Sequence, residues 1–184
     1  TNLSLREILT LADFAAHWDS KNLASATLND EPSFRGGFLY TPLRELYGGA
    51  FVLLPAGDSF DSLRHFVQLV FYGPHNLATF PLAITNGTPV NGLAGKISGA
   101  MSRFGVTVAH VGNGRSKTIE KTALFIRDEE SRALAVFLKR LFPDAEIFAE
   151  LPSEYAGNAD LATAKVILEL GADSKQTVAK LDIF

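Results

Sequence analysis

The sequence contains no cysteine among its 184 residues. Disulfide bonds, thiolate metal ligands and thiol nucleophiles are therefore excluded. Apolar residues make up 47% of the chain, but no apolar run approaches the roughly 18 residues that a transmembrane helix needs. The formal net charge is only −3, so the composition does not predict binding to nucleic acid or to an anionic membrane.

The motifs of several common enzyme classes are also missing. The four histidines stand far apart and lack the paired spacing of a zinc site. A Gly-x-Ser-x-Gly nucleophile elbow is absent as well. From the residues alone we therefore predict no catalytic residue, no metal ligand and no cofactor in this chain.

What the sequence does contain is a regular alternation of apolar segments. Ser4 and Glu7 have the spacing of a capping box that opens an amphipathic first helix. After residue 77 the segments predict the order βαββαββ, with strands at 79–85, 106–111, 122–126, 146–151 and 164–170, and helices at 89–104 and 128–141. We therefore predict an α/β fold, specifically a two-layer ferredoxin-like domain with a mixed sheet and both helices on one face.

Gly73 and Pro74 interrupt the periodic pattern between two apolar segments. This break predicts two units, residues 1–76 and residues 77–184. The chain opens at Thr1 without a charged and then apolar signal segment. We interpret it as a piece of a longer protein whose anchor would lie upstream.

The sharpest local signal is a glycine-bearing turn between the first strand and the first helix of the second unit. Its polar and glycine residues are Asn86, Gly87, Thr88, Asn91 and Gly92. Backbone N–H groups at such a helix start can hold an anion, so these residues are the predicted ligand site. The phosphate-loop pattern fails, however, because Leu and Ala follow the second glycine where Lys and Ser or Thr are needed. The competing interpretation is a structural turn in which Gly92 and Ala94 let helix and strand pack closely.

Several short motifs resemble the C-terminal domain that follows the catalytic domain of LytR-CpsA-Psr proteins. They occur in the family's order over residues 80–173 and are Asn86-Gly87-Thr88, Gly92-Leu93-Ala94, Phe104-Gly-Val-Thr-Val108, Gly112-Asn113 and Leu170-Gly-Ala-Asp173. The opening Thr1-Asn-Leu-Ser is similar to the segment just after the catalytic core in the same family. The resemblance thus identifies residues 1–76 as the end of a catalytic domain and residues 77–184 as the C-terminal domain.

The resemblance implies a membrane-anchored, outward-facing phosphotransferase that moves glycopolymers onto the cell wall with the help of Mg²⁺. The family's catalytic arginines and aspartates match no position in this chain, so none is assigned. We therefore expect a non-catalytic C-terminal portion for interaction or substrate positioning, whose partners are the upstream catalytic domain and envelope glycopolymers or proteins. The alternative is a free-standing enzyme or binding protein for a phosphorylated ligand that uses the turn from Gly87 to Gly92.

Overall fold

The computed structural model describes residues 3–17, 25–57, 59–73 and 77–180. The α-helices are α1 (Leu5–Ala16), α2 (Asp61–Tyr72), α3 (Leu93–Phe104), α4 (Arg132–Leu141), α5 (Ser153–Ala156) and α6 (Ser174–Lys180). The strands are β1 (Leu39–Tyr40), β2 (Leu54–Pro55), β3 (Leu82–Asn86), β4 (Val108–Asn113), β5 (Ala123–Ile126), β6 (Glu146–Phe148) and β7 (Val166–Leu170).

Five strands form one mixed sheet with the spatial order β4-β3-β7-β5-β6. Strands β4 and β7 run parallel to β3, whereas β5 runs antiparallel to β7 and parallel to β6. The three inner strands are buried along their whole length, and the edge strands β4 and β6 are only partly buried. The predicted α/β class, the βαββαββ order and the mixed sheet are confirmed.

The connections within the sheet differ from a ferredoxin-like plan. In a ferredoxin-like sheet another strand separates the two strands that a helix connects. Here α3 joins the adjacent parallel strands β3 and β4, and α4 joins the adjacent parallel strands β5 and β6. Strand β7 then lies between the β3–β4 pair and the β5–β6 pair. Apolar periodicity predicts the elements but carries no information about which strands pair, so the sequence could not distinguish the two arrangements.

Helix α3 begins four residues later than the predicted start at Pro89. The side chain of Asn86 accepts a hydrogen bond from the Thr88 N–H at 3.0 Å and donates one to the Val90 carbonyl at 2.7 Å. These bonds hold the chain in a turn that is incompatible with a helix. The predicted end of the helix is confirmed, because Gly105 closes it with a left-handed φ of +81°.

Each face of the sheet has its own apolar core. On one face, α3 and α4 pack against the alternate residues Leu82 and Ile84 of β3 and Leu124 of β5. On the other face, the segment of residues 151–164, which includes the short helix α5, contributes Tyr155 and Leu161, which cover Ala83, Phe125 and Ile167. Both helices thus lie on one face, as predicted, and the second face is covered without a long helix.

The residues before the sheet pack on the end of α3. The Gly36 N–H donates to the Arg103 carbonyl at 2.9 Å. The Phe38 ring lies between Phe66 of α2 and Phe104 of α3, with centroid distances of 5.0 Å to each. These aromatic side chains belong to the same core as α3 and α4. The division into two units stays a prediction, and residues 74–76 at its boundary lie outside the described residues.

Helix α1 begins with the predicted capping box, in which Ser4 and Glu7 exchange hydrogen bonds. Its large apolar side chains are all exposed, namely Leu5, Ile8, Leu9, Leu11 and Phe14. The amphipathic pattern therefore forms a helix here whose large apolar side chains stay exposed.

Candidate binding site at one end of the sheet

The short motifs of the sequence meet at one end of the five-stranded sheet. Strands β3, β4 and β7 end there, and their last residues Asn86, Asn113 and Leu170 are register partners. Because β5 and β6 run the opposite way, their first residues, Ala123 and Glu146, lie at the same end of the sheet, in register with Glu169, the residue before Leu170. The loop of residues 114–122, which connects β4 to β5, crosses this end and is called the 114–122 loop below.

The predicted ligand residues fall into two groups. Asn86, Gly87 and Thr88 are buried, whereas Asn91 and Gly92 are exposed. The Asn86 side chain accepts from both the N–H and the hydroxyl of Thr88, and the Thr88 oxygen accepts from the Val90 N–H. The Gly87 N–H donates to the Leu170 carbonyl at 3.0 Å. Most of the donors of this turn are thus used inside the protein, which favours the structural interpretation, while anion binding by these five residues stays a prediction.

The close approach predicted at Gly92 occurs instead at Gly87. A Cβ atom at Gly87 would lie 2.6 Å from Cγ1 of Ile119 and 2.7 Å from the Leu170 oxygen. A Cβ atom at Gly92 would meet no atom within 4 Å, but the residue has a φ of +76°. The prediction that Gly92 serves close packing is wrong, since its glycine is required by backbone conformation.

The fold brings a cation to this turn from a distant part of the sequence. The Lys117 ammonium donates to the Asn86 carbonyl at 3.3 Å and to the Asn113 side-chain oxygen. The sequence shows no lysine or arginine next to the turn, so this contact could not be predicted from spacing.

The Leu170-Gly-Ala-Asp173 motif fixes the end of the 114–122 loop. The Asp173 carboxylate accepts from the Thr122 N–H at 2.9 Å and from its hydroxyl at 2.6 Å. A Cβ atom at Gly171 would lie 2.4 Å from the Lys121 carbonyl carbon, so the two chain segments touch backbone to backbone. Gly171 thus allows the two chain segments to approach each other, and the hydrogen bonds of Asp173 to Thr122 hold them together.

A buried carboxylate holds the beginning of the same loop. Glu169 is 0% exposed. It accepts from the Arg115 backbone N–H at 3.2 Å, from Nη2 at 2.7 Å, and from Nε. The Tyr155 hydroxyl also donates to Glu169 and accepts from Thr85 at 3.0 Å. One carboxylate thereby joins the loop, strand β7 and the segment that covers the second face.

The charges of this network are stable near neutral pH. Burial acts to raise the pKa of Glu169, but the hydrogen bonds from Arg115 and Tyr155 outweigh it and lower that pKa below its ordinary value. Burial, together with the hydrogen bond to Glu169, raises the pKa of Tyr155 to about 12. The bond to Glu169 also raises the pKa of Arg115. The pair is therefore ionised at pH 7, and the phenol is neutral.

The network borders an open pocket of about 330 Å³, called the sheet-end pocket below. Its lining residues are Arg115, Ile119, Lys121, Thr122, Ala123, Phe125, Glu146, Phe148 and Glu169. The Phe125 and Phe148 rings stack with centroids 5.4 Å apart. The Arg115 guanidinium lies over the Phe125 ring at 5.5 Å. The pocket thus combines an aromatic surface with hydrogen-bonding groups of both charges.

Sequence reasoning missed the sheet-end pocket. One signal was available, because Glu169 interrupts the otherwise apolar strand Val166-Ile-Leu-Glu-Leu170. A carboxylate in such a strand needs a buried partner, which indicates a polar network. The identity of that partner depends on the strand order and could not be inferred.

Across the residues that the structure describes, no cluster of three or more potential metal-ligating side chains occurs. Within the same ranges, no helix combines the length and the apolar character needed to cross a membrane. At the sheet end, Arg115 and Lys121 pair with Glu169 and Glu146, and Lys117 bonds to oxygens of Asn86 and Asn113. On α4, Arg132 pairs with Glu129, and Lys139 donates to the Ala145 carbonyl.

Comparison with known proteins gives one solved structure, the soluble domain of a conserved hypothetical secreted protein from Mycobacterium marinum. The two share 18% sequence identity with a TM-score of 0.43, over 64% of this chain and 73% of the other. No curated protein matches the chain. A family model described as LytR cell envelope-related transcriptional attenuator matches residues 79–173. This match spans more than half of the chain and includes the whole five-stranded sheet, so the chain belongs to the LytR C-terminal domain family.

Proposed function

We propose that this chain is the non-catalytic C-terminal part of an extracytoplasmic cell-envelope glycopolymer transferase of the LytR-CpsA-Psr type. Its role there is to position the polymer or an envelope partner, while an upstream, membrane-anchored catalytic domain carries out the transfer. The family membership and the resemblance of the opening residues to the end of that catalytic domain support this proposal.

The observation that carries the proposal is that the motif residues contact one another and the 114–122 loop. Gly87 and Gly114 touch backbone to backbone, and Asn86, Gly171 and Asp173 bond or contact the 114–122 loop. The motifs therefore specify the shape of one surface. Phosphoryl transfer needs positioned cations around the developing charge. The cations Arg115, Lys121 and Lys117 at this surface are instead paired with carboxylates or bonded to protein oxygens, which suits binding better.

The test is binding of the purified chain to cell-wall sacculi. Sacculi that carry their wall glycopolymer are compared in a sedimentation assay with sacculi stripped of it by acid. We expect retention by the first and little by the second, and no transfer or pyrophosphatase activity with Mg²⁺. Equal retention by both preparations, or metal-dependent turnover that survives repurification, would refute the proposal.

A second candidate function is recognition of a phosphorylated ligand at the turn from Gly87 to Gly92. The contact of Lys117 with Asn86 favours it, because it adds a cation to the predicted anion site. The internal hydrogen bonds of the turn weigh against it. Titration with inorganic phosphate, followed by amide NMR shifts, distinguishes the two. Saturable shifts in the micromolar range at residues 87–93 would establish this function, whereas millimolar or absent binding would leave the turn structural.

A further inference from the structure

We propose that the sheet-end pocket binds an uncharged sugar ring of an envelope glycan. The pocket lies on the sheet face opposite α3 and α4 and is built from β5, β6, β7 and the 114–122 loop. This inference rests on the proposed function, because it names the part of the polymer that the domain would hold and the side chains that would hold it.

The aromatic surface is the first part of the argument. Phe148 lies on the edge strand β6 and remains 41% exposed. Phe125 is its register partner on β5 and is buried, and the two rings are close to parallel, at 24°. A partly exposed ring backed by a buried one offers a flat, firmly held apolar face. Such a face suits the C–H side of a sugar ring, whose hydroxyls point outward to polar partners.

Space for the ligand comes from a small residue. Ala123 precedes Phe125 on the same face of β5 and is register-paired with Glu146 and Glu169. Its methyl group leaves room between Phe148 and the 114–122 loop. The resulting volume of about 330 Å³ lies at the low end of the roughly 300–1,000 Å³ of small-molecule sites. A short stretch of polymer fits this size better than an extended protein surface.

The charged groups of the pocket form two ion pairs, each with a cation that can donate hydrogen bonds and a carboxylate that can accept them. Arg115 is bonded to Glu169, and Lys121 lies 3.9 Å from Glu146. Side chains of both signs can bond vicinal hydroxyls, each of which donates and accepts. Because the two cations are matched by two carboxylates, the pocket provides no net positive field for a polyanion. This balance favours an uncharged ring over a phosphate.

The site is also held in place before any ligand arrives. Arg115 donates hydrogen bonds from three groups, its backbone N–H, Nε and Nη2, to a carboxylate that is 0% exposed. Its side chain is still 31% exposed, so a ligand in the pocket can contact it. Fixed side chains lose little conformational freedom on binding, which favours affinity for a weakly interacting ligand such as a sugar.

The test uses the full chain and an array of neutral oligosaccharides of the sugars found in bacterial walls, followed by calorimetry and amide NMR with any that bind. A ring-free glycerol phosphate oligomer serves as the comparison ligand. We expect a neutral oligosaccharide to bind and to shift the amides of Ala123, Phe125 and Phe148. Phe148→Ala should weaken binding about two- to tenfold, the range expected for loss of one aromatic contact. Phe148→Tyr should retain it.

Two further variants sharpen the test. Phe51→Ala removes a 60% exposed ring outside the pocket and should leave binding unchanged. Ala123→Leu fills the pocket and should abolish binding, with folding checked by circular dichroism. If Ala123→Leu fails to fold, Phe148→Ala still tests whether the sheet-end pocket binds the sugar.

The outcomes separate this site from the proposed function. Retention on polymer-bearing sacculi that Phe148→Ala does not change would refute the sheet-end pocket and leave the positioning role standing. Binding of glycerol phosphate as tight as that of every sugar, or binding of no oligosaccharide, would also refute it. If sacculi do not retain the unmodified chain, the proposed function is refuted; if the chain also binds no oligosaccharide, the sheet-end pocket proposal is refuted as well.

Discussion

Arg115→Ala should destabilise the protein strongly, although the residue lies in a loop. The substitution leaves the Glu169 carboxylate, which is 0% exposed, without its cation. Removing one partner of a buried ion pair costs roughly 3–5 kcal/mol. The Arg115 side chain is 31% exposed, so water can reach the vacated space, and Tyr155 still donates to the carboxylate. We therefore expect a loss at the low end, about 3 kcal/mol.

The sign of the pH dependence follows from the lowered pKa of Glu169. A carboxylate whose pKa is lower in the folded state contributes stability above its unfolded pKa, and that contribution is lost as pH falls through the folded pKa. In Arg115→Ala, burial acts with less opposition and raises the pKa of the same group. The difference between the two proteins should therefore be full above the raised pKa of the variant and begin to shrink as pH falls through that pKa. It should continue to shrink until pH has fallen through the lowered pKa of Glu169 in the unmodified protein.

The measurement is urea unfolding of both proteins at pH 7 and at several lower pH values. Glu169→Gln in the Arg115→Ala background is the matched control, because it removes the unpaired charge and should recover part of the loss. A loss below about 1 kcal/mol that does not vary with pH would show that the ion pair does not secure the loop.

Three further substitutions test two motif residues, Gly87 and Asp173, and the helix residue Gly95. Gly87→Ala should lose roughly 1–3 kcal/mol, because the added Cβ would lie 2.6 Å from Ile119; denaturant midpoints measure this. Gly95→Ala, on an exposed part of α3 with no atom within 4 Å, should gain about 0.5–1 kcal/mol by the same measurement. Asp173→Ala should lose about 1–3 kcal/mol, since Thr122 is buried and loses the acceptor of its N–H and hydroxyl. Faster amide exchange at Thr122 would accompany that loss, and unchanged exchange would contradict it.

The elements of this fold could be predicted from the sequence, because local patterns determine them. Ser4 and Glu7 mark a helix start, Gly105 marks a helix end, and apolar runs mark the buried strands. The late start of α3 was missed because the Asn86 side chain competes with the helix for backbone bonds, which helical periodicity does not reveal.

The candidate site could not be predicted, because its parts are brought together by the sheet. Arg115 and Glu169 are 54 residues apart in sequence, and Thr85 and Tyr155 are 70 apart. Their contact requires β7 to lie between β3 and β5. The close approach was predicted at the wrong glycine, because only the strand order shows that Gly87 rather than Gly92 makes it.

The series of rings in the core has a consequence for the modularity of this protein. Phe66, Phe38, Phe104 and Phe137 follow one another at centroid distances of 5.0, 5.0 and 5.6 Å. Two of these rings come from residues before position 79, where the family match begins. Grafting residues 79–173 alone onto another protein would leave the Phe104 side of α3 uncovered. A transplantable piece must therefore carry its own preceding segment, and the boundary for protein engineering lies upstream of the boundary of the family.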